Sequence, residues 1–99
     1  MIIVKGEARL GDGEMGRLRA QLDDWIAQVR QRDGCLSFAY ATDIGDPNLL
    51  HVIQSWRDEA ALDAHLAELG PLVHILAGAN IPHLKVDAYK GRFIKTLMG

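Results

Sequence analysis

At 99 residues the chain has room for one hydrophobic core, so a single domain over 1–99 is expected. A net charge of −2, with the basic residues scattered and no basic run interleaved with aromatics, argues against a nucleic-acid partner. No apolar stretch reaches membrane-spanning or signal-peptide length and Cys35 stands alone, so no membrane partner, no internal disulfide and a cytoplasmic location are expected.

Residues 2–10 alternate, with Ile2, Val4, Gly6, Ala8 and Leu10 on one side and Lys5, Glu7 and Arg9 on the other. This predicts a strand with one dry face. Gly11-Asp12-Gly13 turns the chain, and Asp12 is placed to cap a helix. Met15, Leu18, Leu22, Trp25, Ile26 and Val29 then recur at three- and four-residue steps, which predicts a long amphipathic helix stopped at Gly34. Residues 35–42 read as a second strand, 43–48 as a turn and 49–56 as a third strand. At Arg57-Asp58-Glu59 the pattern changes to helical spacing. A second helix is predicted over 58–69, ended by Gly70-Pro71, then a short helical segment over 71–79 and a last strand over 84–93.

The order β-α-β-β-α-β is the split arrangement of a ferredoxin-like α+β domain, a four-stranded antiparallel sheet with its helices on one face. The uncovered face of such a sheet is expected to be polar. Strand two, however, carries Leu36, Phe38 and Tyr40 against Cys35, Ser37, Ala39 and Ala41. Strand three carries Leu50, Val52, Gln54 and Trp56 against Leu49, His51, Ile53 and Ser55. Neither strand bears Lys, Arg, Asp or Glu on either side, which predicts a homodimer joined sheet to sheet. Lys5, Glu7 and Arg9 on that face then pair with one another or with the partner.

His65 stands among Leu62, Leu66 and Leu69, either as a satisfied half-buried imidazole or as a group that titrates near neutrality beside a substrate. Trp56 ends a strand, where its indole either fills the core or offers an N–H. Phe38 and Tyr40 point towards one layer, as pocket wall or as core, and the Tyr40 hydroxyl needs a partner if buried. His51, His65, His74 and His83 show no helical pairing and no nearby acidic cluster, so no metal site is expected. Residues 11–16 spell a literal G-x-G-x-x-G. Asp12 and Glu14 crowd negative charge where a pyrophosphate would sit, so a dinucleotide site is rejected. Cys35, with no basic neighbour in sequence, reads as an inert small side chain.

Gly34-Cys35-Leu36-Ser37-Phe38 resembles the Gly-Cys-x-x-aromatic segment of small antibiotic-biosynthesis-monooxygenase domains. Trp56, Ala61-Leu62 and His65-Leu66 are similar to their signature Trp-x4-Ala-Leu-x2-His-Leu. The similarity runs over nearly the whole chain and is greatest to quinol-monooxygenase-like members. It implies a dimeric α+β barrel and a cofactor-independent monooxygenase. The implied substrate is a small aromatic diol, a quinol or a similar enolisable molecule, which reacts with O2 once deprotonated. On that resemblance Trp56 orients the substrate, His65 acts as base or donor, and Tyr40, Phe38, Val52, Leu62 and His74 contact it. The chain departs from the polyketide-oxidising branch, which has Asn and Tyr where Val52 and Leu62 stand. It also departs from the haem-degrading branch, which has Asn and Trp where Ala8 and His65 stand. The acidic residue common two positions before the Trp is Gln54 here, and the further His of the quinol branch falls at Gly70-Pro71. Because the family fixes fold better than reaction, a non-catalytic small-molecule-binding or structural dimer and an isomerase of a small hydroxylated metabolite stay open.

Overall fold

The computed structural model describes residues Met1–Gly99. Strand β1 (Ile2–Arg9) leads to helix α1 (Glu14–Val29), and a hairpin of β2 (Cys35–Asp43) and β3 (Asp46–Trp56) follows. Helices α2 (Glu59–Leu66) and α3 (Gly70–Leu76) precede the last strand β4 (His83–Lys90). The sheet order is β2-β3-β1-β4, with every neighbouring pair antiparallel. This is the expected ferredoxin-like βαββαβ fold, with the long helix and the two short ones on one face.

The period-two pattern of β1 and the three-to-four-residue pattern of α1 meet in one core. Ile2, Val4, Trp25, Val29, Phe38, Trp56, Ala61 and Leu62 form its larger cluster, and Ala8, Leu10 and Leu50 a smaller one. Asp58 caps α2 by accepting a hydrogen bond from the Ala61 backbone N–H at 2.9 Å. Gly34 is held at φ +80°, a left-handed conformation that glycine adopts without strain. A Cβ there would also press into the Ala61 methyl. The Gly-Cys segment and the Ala-Leu pair are therefore two sides of one contact, and the Gly34 carbonyl accepts from the Arg57 N–H at 2.8 Å.

Several local expectations are corrected. Gly13, at φ +81°, precedes α1 without a side-chain cap, and the Asp12 carboxylate instead accepts from the Asn48 side-chain amide at 2.6 Å. The helix ends at Val29, and a turn through Arg32 intervenes before Gly34. The hairpin turn shrinks to Ile44-Gly45. Strand β1 ends opposite Leu49, so the missing N–H of Pro47 leaves no β1 partner unsatisfied and β3 starts earlier than predicted. A β-bulge between Cys35 and Ser37 inserts Leu36 as an extra residue. Leu36 turns outward at 57% exposure, while Cys35 joins Phe38 and Tyr40 against the core. Helix α2 stops at Leu66, so Leu69 lies outside it, directly before α3.

On the outer face Ile3, Ile53 and Tyr89 are exposed, and the Ser37 and Ser55 hydroxyls meet at 2.6 Å. The register sets Lys5 opposite Asp87 and Glu7 opposite Lys85, so the charges there are matched across the strands. Arg9 pairs with Asp46 at 2.7 Å. No helix is long and apolar enough to cross a membrane.

Candidate functional site

Between the inner sheet face and the three helices lies an apolar cavity of about 230 Å³. Val52 and Leu50 of β3, Leu18 and Leu22 of α1, Leu66 of α2 and Leu72 of α3 make most of its wall. Only three polar side chains reach it: Tyr40, Gln54 and His65. A larger open groove of about 620 Å³ runs between α1 and β2 and shares Leu22, Tyr40 and Leu50 with the cavity. The smaller hollow is the better candidate, because a mostly apolar wall with a few polar groups among it is what fixes a small molecule in place.

Each of the three polar groups is engaged from behind by a side chain that can only donate. The Trp56 indole N–H donates to Gln54 Oε1 at 3.0 Å, which turns the amide NH2 away. The Trp25 indole N–H donates to the Tyr40 hydroxyl oxygen at 3.1 Å, leaving the hydroxyl proton free. The Arg32 guanidinium donates to His65 Nδ1 at 2.7 Å. Arginine has no acceptor atom, so Nδ1 is the accepting nitrogen and the proton of the neutral ring sits on Nε2. Neither the Gln54 NH2 nor His65 Nε2 bonds within the chain. No buried side-chain nitrogen or oxygen lacks a partner, so both groups keep surface open to the hollows that Gln54 and His65 line.

His65 is 3% exposed and stacked on Trp56, with ring centroids 4.6 Å apart and planes 28° from parallel. Trp25 and Phe38 flank it at 5.9 and 5.7 Å. Burial first, and the Arg32 charge second, push its pKa down to about 4, against a weaker upward pull from Glu68. Burial also raises the Tyr40 phenol, an effect partly offset by the Trp25 hydrogen bond. At neutral pH the three polar residues that line the cavity therefore carry a phenol O–H, an amide NH2 and an imidazole N–H, each able to donate.

Of the residues predicted for the site, His65, Tyr40 and Val52 line the cavity. Trp56 does not: it is fully buried, and its N–H is spent on Gln54. Phe38 and Leu62 belong to the packed core behind the site, because their strand and helix positions face Trp25 and Trp56. His74 lies on the exposed side of α3, away from the hollow. Sequence reasoning missed Gln54, Arg32 and Trp25 as site groups. Gln54 had a signal, being an uncharged polar residue on the inner face of a strand otherwise apolar there. No cluster of three or more His, Cys, Asp or Glu gathers anywhere.

The sequence profile of the antibiotic biosynthesis monooxygenase family matches residues 1–70. None of the curated proteins matches the chain in sequence. Among solved structures, a candidate antibiotic biosynthesis monooxygenase from Deinococcus radiodurans is 28% identical, with all of both chains covered and a TM-score of 0.89. Another from Nitrosomonas europaea is 15% identical, covering 94% of this chain and all of its own, with a TM-score of 0.83. A conserved protein of Methanosarcina mazei is 17% identical over 92% of each chain, with a TM-score of 0.80. The last two speak for the fold alone, and the structural likeness extends past residue 70 to include α3 and β4. By the profile match across most of its length, the chain belongs to the antibiotic biosynthesis monooxygenase family.

Proposed function

We propose that the protein is a cofactor-independent monooxygenase that takes a small aromatic diol, a quinol or a similar enolisable molecule into this cavity as its oxyanion. The observation that carries the reading is that three side chains, each with a donor left unspent, line one apolar hollow. Such a site favours a negative oxygen, because preorganised donors in a water-poor pocket stabilise charge strongly. The electrons come from the substrate: a hydroquinone and dioxygen give a hydroxyquinone and water, with nothing left over for a cofactor to accept. Tyr40, Gln54 and His65 hold the oxyanion, while Val52 and the leucines exclude water. Trp56 acts through its neighbours, aiming the Gln54 amide and stacking beneath His65. An apolar cavity of about 150 Å³ holds benzene. The cavity here, about 230 Å³, therefore suits one ring with small substituents rather than a polycycle.

Oxygen-electrode traces with a panel of single-ring hydroquinones test the reading. Uptake above the autoxidation blank is expected, falling at least about tenfold in His65→Ala and Gln54→Leu, since each removes a donor to a charged oxygen. Uptake no greater than the blank for wild type overturns it. Binding without turnover then identifies a small-molecule binder, and anaerobic conversion of a hydroxylated ligand an isomerase.

The homodimer belongs to the same reading. It rests on the outer sheet face, where exposed Ile3, Ile53 and Tyr89 surround charges already matched across β1 and β4. Sedimentation at micromolar concentration is expected to show a dimer. Ile53→Lys, which sets a second positive charge directly opposite Lys5 on that face, is expected to shift it to protomer. A wild-type protomer at that concentration rules the dimer out.

A further inference from the structure

Arg32 lies in the turn after α1, outside the cavity, and four contacts hold its guanidinium. It donates to His65 Nδ1 at 2.7 Å, to the His65 carbonyl at 3.3 Å and to the Glu68 carbonyl at 3.0 Å. It also stands 5.0 Å from the centre of the Trp25 ring. The two carbonyls are at and just beyond the C-terminal end of α2, where a cation is favoured. The side chain is only about a fifth exposed. A guanidinium so held keeps Nδ1 occupied, and it can never accept a proton from it.

We infer that Arg32 is the positioning residue that locks His65 in the Nε2–H tautomer, so that the cavity selects ligands already ionised: phenols and enols acidic enough to arrive as oxyanions. The inference rests on the proposed cavity and deepens it. With Nδ1 filled by Arg32 and Nε2 carrying the proton, His65 has no lone pair to offer a substrate. It holds an anion and does not make one. The substrate proton is lost to water before or during entry, and the negative oxygen exchanges its water partners for Tyr40, Gln54 and His65. The charged groups around the ring agree. Arg32 comes from the α1–β2 turn, and Glu68, 3.8 Å from Arg32, comes from the segment after α2. The sheet side contributes only the Tyr40 phenol and the Gln54 amide. No carboxylate lines the hollow.

Two measurements that need no oxygen uptake test this. Nitrogen NMR of imidazole-labelled protein is expected to show His65 protonated at Nε2 only at pH 7. Arg32→Met is expected to give a mixed tautomer, and Arg32→Lys, which restores one donor, to recover most of the wild-type signal. The second measurement is absorbance titration with 4-nitrophenol, whose phenol and phenolate differ in colour. The phenolate is expected to bind preferentially, with affinity falling in Arg32→Met in proportion to the Nε2–H fraction that NMR reads, about twofold for an equal mixture. An Nδ1–H tautomer in wild type overturns the inference even if Arg32→Met fails to fold. So does a bound probe that is mainly neutral phenol, or a tautomer unchanged in both variants. If phenolate binds and the tautomer holds while hydroquinones bearing ring substituents that ionise them at the assay pH consume no oxygen, the anion site stands and the oxygenase reading fails.

Discussion

Acidification from about pH 6.5 to pH 4 is expected to cost the fold about 3 kcal/mol through His65 alone. The ring is neutral in the folded protein, with its pKa pushed down to about 4 from an ordinary value of 6.5. Above pH 6.5 the ring is neutral folded or unfolded, and the stability is fully present. Between the two values the unfolded chain holds a proton that the folded chain refuses, so stability falls by about 1.4 kcal/mol per pH unit. Below pH 4 both states are protonated and the slope from this group ends. The carboxylates held low by their partners, Glu14, Asp33, Asp43, Asp46 and Asp58, have ordinary values of 4.5 or 3.8. Their own losses begin about where that of His65 finishes, so the two regimes separate on the pH axis. Urea melts of wild type and His65→Phe at half-unit pH intervals measure the effect. The variant keeps a ring against Trp56 and is expected to lose most of the slope between pH 6.5 and 4. Equal slopes in the two proteins would mean that His65 titrates normally in the fold.

The motif that carries the family resemblance was legible for a simple reason: its residues touch. Gly34 lies against Ala61, Trp56 under His65, and Leu62 in the same cluster as Trp56. The dry face of β1 and the buried stripe of α1 were legible because period alone decides them. What period cannot register is an inserted residue. The bulge at Leu36 reverses which side Cys35 faces, and one residue is enough to do so. The site was less legible still. His65 was singled out, but the direction of its proton is set by Arg32, 33 residues earlier in the chain. An arginine in a charged turn after a helix reads as solvated until the fold brings it over the end of α2. Trp56 was singled out for its N–H, yet that N–H is consumed two residues away, and Gln54 inherits the exposed donor. Sequence singled out three residues of the hollow, His65, Tyr40 and Val52; which atoms remain unspent depends on tertiary pairing.

Replacing that donor with an acceptor is expected to give the largest change in ligand binding. In Gln54→Glu one carboxylate oxygen keeps the Trp56 N–H, so the strand and the core are expected to stay in place. The second oxygen then takes the position of the NH2 and faces the cavity. Two unit charges about 4 Å apart repel by about 4 kcal/mol at the effective screening of a partly buried site. Binding of 4-nitrophenolate at pH 8 is therefore expected to fall more than about 100-fold. The pH dependence is expected to invert as well. Wild-type affinity rises with pH as the probe ionises. In the variant it falls, because burial raises a carboxyl group's pKa and only the protonated form can still donate to the anion. Absorbance titrations at pH 6 and pH 8 separate the two patterns, and an unchanged profile would place Gln54 outside the ligand's reach. The substitution also places at residue 54 the acidic group that the family resemblance leads one to expect two positions before the tryptophan. A carboxylate there is a base, able to ionise a weakly acidic hydroquinone that the native glutamine must receive already ionised. If oxygen uptake from such a substrate rises in Gln54→Glu while nitrophenolate binding collapses, the charge at residue 54 decides whether the cavity makes its anion or only receives it.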